Sequence, residues 1–138
     1  MINNIRLYCL ARTDMNSMCP GRMAAQVSHA STKMMHDIQE SDSLLGKMYL
    51  KNWLNEAGGF GTAIILRPLS KFNQETEIRN LVHLAKKCPD LFSDLLIDPE
   101  YYVADGDVFH RLENVLTCSY FFGEVERVKT ILGNNNLY

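Results

Sequence analysis

Short apolar runs rich in strand-forming residues, at 5–11, 62–67 and 115–122, alternate with stretches whose apolar residues recur every three or four positions. This alternation constrains the fold more than any other feature. Strands interleaved with amphipathic helices give an α/β architecture in which helices cover a mixed sheet. The 138 residues carry no internal repeat and no linker, so one domain spanning 1–138 is expected. A chain of this length buries enough surface to hold a core without disulfides or metals. The 46% hydrophobic and 22% charged residues exclude a disordered chain. The apolar runs are too short to cross a bilayer, and the first residues lack a basic start followed by an apolar run. A soluble, cytoplasmic protein with no membrane partner is the expectation.

The net charge of −2 excludes a broadly basic nucleic-acid coat, but not a local basic site. Cys9, Cys19, Cys88 and Cys118 show no CxxC spacing, so reduced thiols fit better than a zinc cage or a disulfide framework. His29 and His36 share a helix face but stand two turns, about 10 Å, apart, too far to hold one metal ion.

The helix expected over 20–39 opens on Pro20, a residue suited to a first turn. Met23, Val27, Ala30, Met34 and Ile38 make its core stripe, and the small residues Ala24, Ala25, Ser28 and Thr32 are expected to approach a sheet. Arg22, Gln26, His29, Lys33 and His36 form a polar stripe, either a solvated face or part of a site. A second helix over 44–57 is expected to turn Leu45, Met48, Tyr49 and Trp53 inward, and a third covers 73–87. Residues 95–103 read as extended pieces broken at Asp98-Pro99, and a short last helix covers 124–132. Gly58-Gly59-Phe60-Gly61-Thr62 lies after a helix and before a strand, the wrong order for a phosphate loop, so it reads as a turn. Arg22 sits in the first turn of a helix, where free N–H groups and the helix dipole favour an anion or a developing oxyanion. Cys19, near the same helix start, is either a loop cysteine or an activated thiol.

The segment Gly21-Arg22-Met23-Ala24-Ala25-Gln26-Val27-Ser28-His29-Ala30, preceded by Arg12-Thr13-Asp14, resembles the signature of the type-2 peptidyl-tRNA hydrolases. The resemblance extends through Trp53 and the glycines after it, Val103-Ala104-Asp105 and Thr117-Cys118, with an insertion around 89–100. It implies a three-layer α/β fold with a four-stranded mixed sheet flanked by helices, in a protein that is often a homodimer. The activity it implies is hydrolysis of the ester joining a peptide to the 3′ end of tRNA, with no metal or other cofactor. The catalytic positions it implies are Arg22, Asp105 and Thr117, with Gln26 and His29 lining or supporting the site. Arg22 and the N–H groups of its turn would stabilise the oxyanion. Asp105 would hold Arg22 or the attacking water, and Thr117 would orient that water. Arg12 and Lys33 would bind substrate by following the tRNA backbone.

The chain departs from the family pattern in places. Arg22 stands where the family has lysine, a planar guanidinium in place of a compact ammonium. Phe109, Glu113 and Asn114 replace family residues in the loop before the last strand. These changes leave a second reading, a binding or regulatory protein for tRNA, a nucleotide or a protein partner that kept the fold but lost turnover. A third is a thiol enzyme using Cys19.

Overall fold

A computed structural model describes residues 4–137 apart from 16, 17, 57, 60, 106 and 107, and only the backbone at 104, 105, 108, 109, 136 and 137. The chain runs β1 (Ile5–Ala11), α1 (Pro20–Glu40), α2 (Leu44–Leu54), β2 (Ala63–Arg67), α3 (Gln74–Lys86), β3 (Phe92–Asp105), β4 (Val108–Glu124), α4 (Val125–Leu132) and β5 (Asn136–Leu137). Four main strands form the expected mixed sheet, and the two-residue β5 extends one edge to give the order β3-β4-β1-β2-β5. β1 is central, parallel to β2 and antiparallel to β4.

Alternation along β1 builds the three layers. Ile5, Leu7, Cys9 and Ala11 join a core with α1 and α2, while Leu10 joins Ile78, Val82, Val128 and Leu132 of α3 and α4 on the other face. On the first face the Trp53 and Phe122 rings meet edge-on, with centroids 5.6 Å apart.

The helices settle on faces that differ in part from the sequence expectation. α1 meets the sheet through Met23, Gln26, Ala30, Met34 and Ile38, whereas Ala24, Ala25, Ser28 and Thr32 are exposed. Small side chains bury little apolar area, so the larger stripe decides which face turns inward. In α2, Leu50 is buried and Met48 is 53% exposed, because Gly46, Tyr49, Leu50 and Trp53 make the inward face.

β3 runs unbroken through Asp98-Pro99, where an interruption was expected. Pro99 is tolerated because β3 is an edge strand. The β3–β4 register shifts between Leu96 and Ile97, and pairing then resumes as far as Asp105 with Val108. Asn114, which falls opposite Pro99 in this register, is left-handed with φ 54°. The residues expected as an insertion therefore form part of a β arm that continues past the carboxyl end of β1.

The glycine-rich segment is a turn, as its order implied. Gly61 has φ +71°, and a Cβ there would stand 2.2 Å from the Trp53 ring. Trp53 in turn donates from Nε1 to the Thr62 carbonyl at 2.8 Å. Gly61→Ala is expected to destabilise the fold by about 2 kcal/mol or more, from a left-handed backbone combined with overpacking. A urea midpoint within error of the unmutated protein would contradict this account of the turn.

Candidate active site

β1 delivers the chain to the end of the sheet where the first turn of α1 stands. Cys19 is the N-cap and Pro20 opens the helix. Arg22 lies in that first turn, with its guanidinium 5.6 Å from the centre of the Tyr101 ring, and it donates a hydrogen bond to the Tyr102 carbonyl. The arm thus folds against the start of α1. Between them lies a pocket of about 200 Å³ lined by Arg22, Ala25, Gln26, Asp98, Glu100, Tyr101 and Tyr102.

Gln26 organises this pocket. Its Oε1 accepts from the Thr117 hydroxyl at 2.8 Å, and its Nε2 donates to Asp98 Oδ2 at 2.8 Å. The Cys118 thiol also donates to the Gln26 backbone carbonyl. The second carboxylate oxygen of Asp98 accepts from the Glu100 amide at 2.9 Å. Three elements distant in sequence are joined in one chain of contacts: α1, the start of the arm, and β4.

The expected site residues divide accordingly. Arg22 and Gln26 line the pocket. Thr117 is fully buried and its hydroxyl donates to Gln26, so it is linked to the pocket through the Gln26 amide. The Asp105 side chain lies outside the described residues. Its backbone pairs with Val108 at the far end of the arm, and the described carboxylate in contact with Gln26 is Asp98. Sequence reasoning missed Asp98 because it stood in a segment read as an insertion. Asp98-Pro99 stood out only as an expected strand break, which β3 does not have, and the contact of Asp98 with Gln26 left no local signal.

The two expected backbone-following cations are committed elsewhere. Arg12 binds both Asp14 oxygens, at 2.8 and 3.1 Å, and donates to the Leu116 carbonyl at 3.0 Å. It braces β4 just before Thr117. Lys33 pairs with Asp37 at 3.0 Å and Asp94 at 3.1 Å. Burial pulls its ammonium down, but the hydrogen bonds and charges of those two carboxylates outweigh burial and hold it above its ordinary value. His29 is exposed and is not among the residues lining the pocket.

The four thiols are free and differ sharply. Burial pushes Cys118 up to about 12 and also raises Cys9. Cys19 is exposed, and the N–H of Arg22, followed by that of Gly21, lowers its thiol below the ordinary value. Among the described residues, no cluster of three His, Cys, Asp or Glu side chains could hold a metal ion. No helix among them is long and apolar enough to cross a membrane.

The family model for peptidyl-tRNA hydrolase PTH2 matches residues 5–96. The chain belongs to that family. The matched region holds β1, α1 with Arg22 and Gln26, both sheet-flanking helices that follow, and the first part of β3. It stops at the register shift between Leu96 and Ile97, two residues before Asp98, so the arm lies beyond it. A search of curated proteins finds no match to the chain.

Two outcomes follow for this peptidyl-tRNA hydrolase family member. Alkylation with iodoacetamide at neutral pH, read by peptide mass spectrometry, is expected to label Cys19 well before Cys9 or Cys118; equal labelling would contradict the burial described. Thr117→Val leaves Gln26 Oε1 buried without its donor, so a loss of about 1–3 kcal/mol of stability is expected in denaturant titrations.

Proposed function

We propose that the chain hydrolyses the ester between peptide and tRNA in peptidyl-tRNA, with the scissile carbonyl seated in the Arg22–Gln26–Asp98 pocket. One observation carries this reading: a fixed guanidinium and a carboxylate held by a buried amide line the same pocket. A guanidinium has five N–H donors, so the bond from Arg22 to Tyr102 leaves others for an oxyanion. Hydrogen bonds aimed at developing charge are the largest single source of rate in acyl transfer.

Asp98 accepts one bond on each oxygen, from Gln26 and from the Glu100 amide, and a carboxylate has about four acceptor positions. The remaining positions receive a hydrogen bond from the attacking water and align its lone pair on the ester carbon. Water adds to the carbonyl, and Arg22 stabilises the negative oxygen. The bond to the ribose oxygen then breaks, and the proton given up by water ends on that oxygen. The products are a tRNA 3′ end carrying its hydroxyl and a peptide acid, which releases the second proton of the water to solvent and leaves as the carboxylate. Gln26 and Thr117 act as positioning residues in this scheme, which uses side chains and water alone.

Arg22→Ala and Asp98→Asn are each expected to lower the single-turnover rate on a model peptidyl-tRNA by about 10²-fold or more. Asp105→Ala in the same assay tests the carboxylate that the family resemblance implies, whose side chain lies outside the described residues. If Arg22→Ala and Asp98→Asn are both as fast as the unmutated protein, the pocket is not the catalytic centre. If Asp105→Ala is the slow one, the carboxylate belongs to the far end of the arm.

The second reading, a binder that has lost turnover, draws on the contact of Arg22 with the arm, since a guanidinium resting on Tyr101 and Tyr102 is already partnered. Deacylation and filter binding measured on the same peptidyl-tRNA separate the two. Retention of the RNA with no release of peptide selects the binder.

A further inference from the structure

The loop between β2 and α3, at 68–73, carries features that the pocket does not use. Phe72 is 91% exposed and Leu69 57% exposed, unusual for large apolar side chains in a six-residue stretch. Lys71 lies beside Phe72, and Arg67 ends β2 just before the loop; both are exposed. A depression of about 340 Å³ is lined by Thr13, Arg67, Ser70, Lys71, Gln74 and neighbouring loop atoms.

The loop is held in shape. Glu77 accepts from the Leu69 and Ser70 amides at 2.7 Å each. Gln74, itself buried, accepts from the Thr13 amide at 2.7 Å and donates to the Thr13 hydroxyl and the Ser70 carbonyl. An exposed ring on a braced loop needs little ordering when a ligand arrives.

The charge pattern points to an anion. Arg6, Arg12, Lys33, Arg79, Lys86, Arg111, Arg127 and Lys129 are paired with carboxylates. Arg67 and Lys71 have no such pair among the described residues, nor do Arg22, Lys47, Lys51 and Lys87, but these two lie together beside the exposed Phe72. The nearby acids are already engaged: Glu77 by the two loop amides, and Glu75 by Arg79 at 3.0 Å and Arg12 at 3.8 Å. In a chain of net charge −2, these two unpaired cations lie beside an exposed aromatic ring. Cation plus stacking surface is the combination that holds single-stranded nucleic acid.

Position relates the loop to the pocket. The Arg12 amide bonds the Thr117 carbonyl on β4, and Leu10 on β1 pairs with Leu66 on β2, so Thr117 and Arg67 stand at the same end of the two strands that flank β1. Two strand spacings, about 10 Å, separate them. A few nucleotides leading to an ester at Arg22 can reach the loop.

We propose that Phe72, with Arg67 and Lys71, forms a docking platform for the unpaired 3′ end of the tRNA, Phe72 stacking on a base and the two cations meeting backbone phosphates. The choice of tRNA as source of the strand rests on the hydrolase reading above, but binding at the platform is measured without turnover.

The test uses the full chain and an uncharged RNA minihelix, with and without an unpaired 3′ overhang, in fluorescence anisotropy. The unmutated protein is expected to bind the overhang form more tightly. Phe72→Ala is expected to weaken that binding roughly 5- to 100-fold, the range for losing one stacked base. Arg67→Gln with Lys71→Gln is expected to reduce the slope of log affinity against log salt by about 1.4, two phosphate contacts to a single strand. Phe72→Trp is expected to retain binding and to show quenched indole emission with the overhang form. Phe72 is exposed, so thermal melts should not move among these variants. Equal binding with and without the overhang, or variants that bind as tightly as the unmutated protein, overturns the platform and leaves the loop to a protein partner. Failure of hydrolysis with overhang binding intact counts against the activity and not against the platform.

Discussion

One buried amide couples the pieces of this molecule that the chain keeps far apart. Gln26 stands on the sheet-facing side of α1, takes a hydrogen bond from Thr117 on β4 and gives one to Asp98 at the base of the arm. A polar side chain in such a position is costly unless each atom is partnered. Both amide atoms are partnered, which fixes the orientation of the amide and, through it, the carboxylate in the pocket. Helix, sheet and arm therefore share one geometry at the start of α1.

Charge is managed by neutralisation over most of the surface. The Asp37–Lys33–Asp94–Lys86 cluster alternates acids and cations, and burial of Asp94 is outweighed by hydrogen bonds from Lys86 and the Leu95 amide. Exposed pairs of this kind contribute little stability, but they remove free charge from one face of α1. Arg22, Arg67 and Lys71 are exceptions at the carboxyl end of the parallel strands, the end where α/β sheets gather their sites. An acidic protein can present a locally cationic surface in this way.

Much of the architecture could be read from residue order. The strand runs, the helix opening at Pro20, the glycine turn and the run from Arg12 to Ala30 all point to the fold and family that the structure and the family match bear out. The misreadings have physical causes. Ala24, Ala25, Ser28 and Thr32 were expected against the sheet for their size, but larger neighbours dictated the buried face. Sequence spacing alone also could not place Asp14, Asp37 and Asp94 around Arg12 and Lys33, which is a matter of partners and leaves their expected role in binding substrate untouched.

What the sequence determined by itself is the class of fold and the position of the cationic helix start, because both rest on local periodicity and capping. The carboxylate that shares a pocket with that cation was decided only in three dimensions. Asp98 meets the pocket through an edge strand that tolerates Pro99, shifts register after Leu96 and folds back onto α1. The last of those steps depends on contacts between residues more than seventy positions apart in the chain, which no short-range pattern encodes.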